Sequence, residues 1–202
     1  MSDRMGGPKR QDPEAEVALD AKGLRALAHP VRVQLVELLR TYGPSTATRL
    51  AARLGITSGS ASYHLRQLGA AGLVKEDTER GNARERWWSS AHKLTSFDDA
   101  ELPTQEPEAT MVYLRSVAAG YTLRTQRALD EFPAMPPEWR DALHLGNSLL
   151  RLTPEEAKAL QEELNSLIAR YRQDDPADTV ELPEGTGRVL LISQILPEPE
   201  AR

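Results

Sequence analysis

Hydroxyl, amide and guanidinium side chains share one face of a helix predicted between residues 58 and 72. Ala61, Leu65 and Leu68 form one apolar stripe of that helix, which leaves a polar set on the opposite surface: Ser58, Ser60, Ser62, Tyr63, Arg66 and Gln67. Short hydroxyl groups allow a close approach, and arginine and glutamine exchange hydrogen bonds with base edges. The face therefore has the chemistry needed to read base pairs in a DNA groove.

A shorter helix is predicted immediately before this face and must position it. Leu50 and Leu54 lie four residues apart on its buried side, and Gly55 ends it and permits a sharp reversal. Thr57 or Ser58 can then cap the second helix. The segment reads as a helix-turn-helix, although two short amphipathic helices joined by a glycine turn also occur in ordinary helical bundles.

A hairpin predicted after the second helix favours the first of these alternatives. Gly72 closes the helix, and the hairpin turn is expected at Arg80–Ala83. Gly81-Asn82 would supply the positive φ angles that a tight hairpin needs. Trp87 and Trp88 are expected to pack at the base of this wing. Two helices followed by such a wing predict a DNA-binding unit.

Positive charge is concentrated on the same unit. Three arginines crowd the predicted wing, where they reach phosphates beside the groove: Arg80, Arg84 and Arg86. Residues 21–92 carry eleven basic and five acidic side chains, a net charge of +6, although the whole chain has a net charge of −5. Residues 1–20 carry −2 and residues 93–202 carry −9. The positive block lies where phosphate neutralisation requires it.

Two further helices are predicted upstream, over residues 17–28 and 31–41. His29 stands at their junction, where it is expected to cap or orient the second helix, and Pro30 suits a first helical turn. The second helix is apolar on most sides and is therefore expected at the centre of the core. Residues 1–16 are polar and are expected to form a disordered arm.

The stretch LRALAHPVRVQLVELL, followed by TATRLAARLGITSGSASYHLRQLGAAGLV and a wing, resembles the ArsR-type winged helix-turn-helix repressors. The His-Pro-x-Arg element and the SxSYHLRQLxxAGLV pattern carry the resemblance, which covers residues 17–92. It implies a homodimer that binds an inverted-repeat operator, represses transcription and is often released by a ligand. It also places the DNA-reading role on Ser58, Ser60, Ser62, Tyr63, His64 and Arg66, with the wing arginines on the DNA backbone.

The chain departs from this family in two ways. Many members sense metals through cysteine pairs, but this chain has no cysteine. Its histidines, His29, His64, His92 and His144, do not pair at ligand spacing, so we expect neither a metal site nor a cofactor. Sequence motifs of common enzymes are absent, and we expect no catalytic activity. The second departure is length, because compact members end soon after the wing.

The chain after the wing has its own predicted organisation. An acidic linker is expected over residues 98–107, then a helix over 108–132 that is the preferred dimerisation element, since the family dimerises through helices flanking the wing domain. Thr153-Pro154-Glu155-Glu156 predicts the start of a helix that runs to about Arg172, with Thr153 as the cap and Glu156 completing a capping box. Residues 143–152 favour a strand, with a short helix as the alternative, and residues 188–196 favour a second strand. The stripe at 157-160-164-167-171 is either core or a coiled-coil seam, and core is preferred.

The sequence as a whole predicts a mostly α fold with a small β component. Residues 17–96 are the winged helix-turn-helix domain, and residues 108–202 are a helical or α+β region for dimerisation or effector binding. We expect a cytoplasmic protein with double-stranded DNA, a second copy of itself and a small-molecule effector as partners. It carries no apolar run of the ~20 residues that span a bilayer. The alternative is a ligand-binding or protein-interaction module that keeps the fold and acts through partners.

Overall fold

Helices account for most of the regular structure in the computed structural model, which describes residues 16–82, 85–96, 101–171 and 182–198. The chain divides into two units, Met1–Thr122 and Leu123–Arg202. The first unit contains these elements in chain order: β1 Glu16–Ala18, α1 Ala21–Leu27, α2 Pro30–Tyr42, β2 Ser45–Thr46, α3 Ala47–Leu54, α4 Ser58–Ala70, β3 Val74–Asn82, β4 Glu85–Ser90, β5 Leu94–Ser96, α5 Leu102–Gln105 and the larger part of α6 Pro107–Glu131. The predicted fold class, mostly α with a small β component, is confirmed.

The first helix begins later than its sequence pattern predicts. Val17 lies in β1, which pairs in parallel with β5. Helix α1 begins after Asp20, whose Oδ1 accepts a hydrogen bond from the Gly23 amide at 2.7 Å. The prediction of a helix from residue 17 is wrong because pairing with β5, distant in the sequence, holds residues 16–18 extended.

Leucines, most of them from the helices, form the core of the first unit. Those with almost no exposed surface are Leu24, Leu35, Leu50, Leu65, Leu68, Leu73 and Leu102. Helix α2 is central, as predicted, and His29 caps it by accepting a hydrogen bond at Nδ1 from the Val31 amide at 3.2 Å. Leu102 lies in the segment predicted as a linker. That prediction is wrong for residues 102–105, which form α5, because Leu102 is drawn into the core.

The wing is a three-stranded antiparallel sheet in the order β2-β4-β3. The predicted turn position is wrong, because Gly81 and Asn82 belong to β3 and Asn82 pairs with Glu85. The register shifts between Asp77 and Asn82, so that β3 holds extra residues and the chain reverses later than expected. The residues between the paired ends, 83 and 84, lie outside the described part of the chain.

Helix α6 confirms the predicted helix over 108–132 to within one residue at each end. Its buried face is narrow and mostly small or polar: Thr110, Tyr113, Ser116 and Gly120. A Cβ atom on Gly120 would lie only 3.2 Å from Glu37 Oε2 of α2. Glycine at position 120 therefore permits a close approach between α6 and the central helix.

The second unit contains the end of α6, one 3-10 turn at Phe132–Ala134, and the helices α7, Pro137–Ala142, and α8, Pro154–Ile168. The predicted capping box is confirmed: Thr153 Oγ1 accepts from the Glu156 amide at 3.2 Å, and Glu156 Oε2 accepts from the Thr153 amide at 2.7 Å. The helix ends about one turn earlier than predicted. None of its residues is fully buried, so the preferred core role of its apolar stripe is not realised among the described residues.

Neither predicted strand of the second unit forms. Residues 143–152 and 188–196 have no regular secondary structure, so the strand and the alternative short helix for 143–152 are both wrong. Leu149 is 85% exposed and Val189 is 74% exposed. A strand needs a partner with which to share backbone hydrogen bonds, and no pairing is found for these runs in the described residues. No described helix is both long enough and apolar enough to cross a membrane.

Candidate nucleic-acid interface

Capping residues and one glycine define the two helices and the turn between them. Thr46 Oγ1 accepts a hydrogen bond from the Arg49 amide at 3.4 Å and begins α3. Gly55 ends that helix in the left-handed conformation with a φ of 65°, which favours glycine. Thr57 Oγ1 accepts from the Ser60 amide at 3.2 Å and begins α4. The predicted helix-turn-helix geometry is therefore present, with Thr57 as the cap.

Helix α4 separates its apolar and polar residues as predicted. Ala61, Leu65 and Leu68 are completely buried. The polar set lies on the other side, where Ser58, Tyr63, Arg66 and Gln67 are exposed and Ser60 and Ser62 are half-buried. Arg66 Nε donates to the Ser62 carbonyl at 3.2 Å, which lays the guanidinium group along the helix surface. The structure thus brings six of the predicted residues to one accessible face.

His64 does not belong to this face. It is only 7% exposed and points toward α2. His64 is therefore not on the accessible face from which it was expected to read DNA. Its ring lies 4.4 Å from the ring of His29, centroid to centroid, and its Nδ1 accepts a long hydrogen bond from Arg32 Nε at 3.4 Å. Burial lowers the pKa of His64, and the nearby His29 and Arg32 lower it further. The imidazole is therefore held neutral inside the unit.

The wing arginines that the structure describes are exposed but not isolated. Arg80 Nε lies 3.4 Å from Asp77 Oδ2, and Arg86 Nε lies 3.8 Å from Glu76 Oε1. Such exposed pairs contribute at most about 1 kcal/mol, so a phosphate can replace the carboxylate at little cost. Arg84, the third predicted wing arginine, lies outside the described residues.

The tryptophans connect the wing to the two helices. Trp88 is 7% exposed, in agreement with the predicted packing role. Trp87 is half-buried, and the guanidinium carbon of Arg49 in α3 lies 5.0 Å from its ring centroid. Arg53, also in α3, lies 4.1 Å from the ring of Tyr42. Sequence reasoning missed both exposed α3 arginines, although the first helix of a helix-turn-helix crosses the DNA backbone and this position signals phosphate contacts.

In the part of the chain that the structure describes, histidine and carboxylate side chains do not gather in groups of three or more that could hold a metal ion. The site offers hydrogen-bond donors, hydroxyl groups and guanidinium groups. Their arrangement suits an extended polyanion with readable edges better than a small ligand.

Residues 27–77 match a family model described as a helix-turn-helix domain. The match lies within residues 17–92, the segment that resembles ArsR-type regulators, and it confirms the helix-turn-helix predicted there. It spans the caps of α2, α3 and α4 and the first residues of the wing. No curated protein matches the chain significantly.

Several solved structures are partly similar to this chain. The homodimeric winged helix-turn-helix DNA-binding domain of Mb0332 from Mycobacterium bovis, described as a possible ArsR-family transcriptional regulator, is 25% identical, covers 52% of this chain and 82% of its own, and has a TM-score of 0.33. Reduced HlyU from Vibrio cholerae is 21% identical over 46% of this chain and 80% of its own, with a TM-score of 0.30. Transcriptional regulator Tm0710 from Thermotoga maritima is 14% identical over 76% and 88%, with a TM-score of 0.30. At these scores the likeness is partial, and the fold assignment rests on the chain's own elements.

Proposed function

We propose that this chain is a sequence-specific DNA-binding transcription regulator, because its N-terminal half contains a winged helix-turn-helix domain that resembles those of the ArsR type. In this proposal it acts as a homodimeric repressor on an inverted-repeat operator. Each α4 lies in a major groove, and the two half-sites are separated by about one helical turn, ~34 Å, as dimeric helix-turn-helix proteins require.

The observation that carries the proposal is the exposed face of α4. It presents Ser58, Tyr63, Arg66 and Gln67 to solvent although the rest of the helix is packed into the core. The outer face of an ordinary bundle helix is also polar, but here the polar face follows a short helix and a tight turn and precedes a wing that carries arginines, which is the arrangement of a recognition helix. In the proposal these side chains and the half-buried Ser60 and Ser62 face bases and nearby phosphates.

Cations of the wing and of α3 supply the second part of the proposed interface. Arg80, Arg84 and Arg86 of the wing are proposed to bind phosphates, together with Arg49 and Arg53 of α3, of which Arg49 lies over the ring of Trp87 in the wing. Each phosphate that they neutralise releases counterions, so binding weakens steeply as salt rises. His64 is left out of this set because it is buried.

Dimerisation through α6 is supported by the face that this helix turns away from α2. Met111, Val112 and Leu114 are 47%, 39% and 42% exposed, whereas the opposite side of α6 packs at Tyr113 and Gly120. These exposed apolar side chains, on a long helix whose other side is buried, suit an interface with the identical helix of a second copy. We place the dimer contact there.

A second candidate function is favoured by the second unit. Its exposed apolar side chains include Leu145, Leu149, Leu190 and Leu196, which are between 54% and 72% exposed apart from Leu149 at 85%. Such surface suits a partner protein or a small-molecule effector. An effector bound there would shift the dimer between DNA-competent and DNA-incompetent states, so the two functions are compatible.

The proposal is tested by selecting fragmented host genomic DNA with the purified protein at about 0.15 M salt, near the physiological ionic strength, and sequencing the retained fragments. Enrichment of a shared inverted repeat is the expected result. If the protein enriches no sequence and binds no DNA even at low salt, the partner-binding module becomes the better account.

A further inference from the structure

The contact between α4 and the beginning of α2 depends on three side chains that are usually charged or chargeable. His64 of α4 is buried against His29 and Arg32 of α2. Arg32 also donates through Nη1 to the Ala26 carbonyl at the end of α1, at 2.9 Å. Arg32 therefore ties α4 to the junction between α1 and α2.

The hydrogen bonds determine which protonation state fits this arrangement. Arg32 can only donate, so Nδ1 of His64 must accept and cannot carry a proton. His29 Nδ1 also accepts, from the Val31 amide, and is likewise unprotonated at that nitrogen. A proton on Nδ1 of His64 would break the Arg32 contact and place a buried cation beside a guanidinium group.

We propose that His64 and Arg32 are a positioning pair that holds α4 at its DNA-binding angle only while the imidazole is neutral. The pair touches no DNA and acts through the orientation of the α4 face. This inference rests on the proposed DNA-binding function, but the arrangement of α4 can also be measured without DNA.

The groups around His64 oppose protonation rather than assist it. From α2 it faces His29 and Arg32, and from its own helix the edge of Tyr63 at 5.4 Å between ring centroids. The charged groups of the other elements packed against α4 are either paired or exposed. On α1, Arg25 pairs with Glu106 and Lys22 is exposed, and on α3, Arg49 and Arg53 lie over aromatic rings. On β3, Glu76 pairs with Arg86 and Asp77 pairs with Arg80.

The sign of the pH effect follows from the lowered pKa of His64, which burial causes first and the two cationic neighbours second. The neutral ring stabilises the folded arrangement fully above the unfolded pKa of about 6.5, and this stabilisation is lost as pH falls toward the lower folded pKa. DNA binding by the wild type should therefore weaken as pH falls through the lowered pKa of His64, which lies below the ordinary histidine value of about 6.5. General protonation has the opposite sign, because added positive charge strengthens binding to phosphates.

The experiment measures affinity for the selected DNA between about pH 7.5 and pH 5, a range centred near the ordinary histidine pKa. Wild-type affinity should fall by roughly tenfold for each pH unit below the pKa of His64, since the proton must be released before binding. His64→Asn keeps an acceptor near the position of Nδ1 and cannot be protonated, so it should bind well and lose this dependence. Arg32→Met removes the hydrogen bond that protonation would break, so it should bind more weakly at every pH and depend less on pH than the wild type. His144→Asn, at an exposed histidine of the second unit, is the matched control and should behave as wild type.

Ring and backbone ¹⁵N NMR of the full chain gives the readout that needs no DNA. In wild type the Leu65 and Leu68 amide shifts should follow the His64 titration, and in His64→Asn they should not. If no variant binds DNA while these shifts still follow the ring, the proposed function fails and the positioning pair stands. Titration of His64 without movement of the α4 amides, or the same pH dependence in His64→Asn as in wild type, overturns the inference.

Discussion

The indole of Trp88 in β4 packs directly against Gly69 of α4, where a Cβ atom would lie 3.2 Å from Trp88 Cζ3. The base of the wing and the last turn of α4 are therefore in contact, because the Trp88 ring packs where a side chain at position 69 would lie. This contact sets the distance between the wing cations and the exposed face of α4. Both parts of the proposed interface depend on it.

Replacing Gly69 by alanine should disturb this contact. Gly59 is the second residue of the same helix and has no atom within 4 Å of its Cβ position, so Gly59→Ala should stabilise the fold through helix propensity, by less than the ~1 kcal/mol that applies in a helix interior. Gly69→Ala must also move the Trp88 ring, and overpacking of this kind costs about 1–3 kcal/mol. Urea unfolding of both variants measures the difference. Equal stabilisation by the two changes would show that the ring adapts freely.

Arg66 and Arg86 should affect DNA binding in different ways. Arg66 lies along the exposed face of α4, so Arg66→Ala should change the preference among sequences by about 1–3 kcal/mol if it makes a bidentate base contact. Arg86 is proposed to bind phosphate, so Arg86→Ala should weaken binding to selected and random DNA equally and reduce the salt dependence of log K by about 0.9. Arg84→Ala is expected to resemble Arg86→Ala.

Fluorescence anisotropy with selected and random duplexes at several salt concentrations separates these roles. Thr153→Ala, which removes a helix cap of the second unit, is a control that should leave both quantities unchanged. Indistinguishable effects of Arg66→Ala and Arg86→Ala on the two duplexes would contradict the division between base reading and phosphate binding.

The sequence predicted the elements whose signals are local. The side chains of Thr57 and Thr153 each accept a hydrogen bond from a backbone amide three residues later. The reversal at Gly55 depends only on the conformational freedom of that one residue. The side of α4 occupied by His64 was also predictable. Positions 61, 64, 65 and 68 follow the i, i+3, i+4, i+7 spacing of a single buried face, but the polarity of histidine hid the pattern.

The errors concern contacts that are distant in the sequence. Residues 143–152 and 188–196 have strand-like composition, yet a strand forms only where another strand is available. Residues 16–18 show the reverse case, because a helical pattern is overridden by pairing with β5. Leu102 lies in a segment whose composition is typical of a linker, yet it is buried in the core. Composition alone does not show that the core is close to this segment.

The dimer proposed through α6 should dissociate when its outer face is charged. Leu114 is 42% exposed on that face, so Leu114→Glu leaves the core intact but places a buried carboxylate in the interface of two copies. Analytical ultracentrifugation should show monomers, and affinity for the inverted repeat should fall. Leu167→Glu, at a 46% exposed leucine of α8, tests the alternative coiled-coil seam and should leave the dimer unchanged. If Leu167→Glu gives monomers and Leu114→Glu leaves the dimer intact, the interface is formed by α8 and not by α6.

Tyr113 should make the stability of the chain sensitive to alkali. It is the one aromatic residue on the buried face of α6, and burial raises the pKa of its phenol, an effect that the positive charge of Arg40 partly opposes. The folded protein therefore retains a proton that the unfolded chain releases near pH 10, so stability is complete below about pH 10 and is lost as pH rises toward the higher folded pKa. Tyr113→Phe cannot ionise and should flatten the dependence of the free energy of unfolding on pH between about pH 9 and pH 11. Tyr63→Phe, at a tyrosine that is 50% exposed, is the matched control and should follow the wild type in urea unfolding at each pH. If the free energy of unfolding depends on pH in the same way in Tyr113→Phe and in the wild type, ionisation of the Tyr113 hydroxyl group does not destabilise the folded protein.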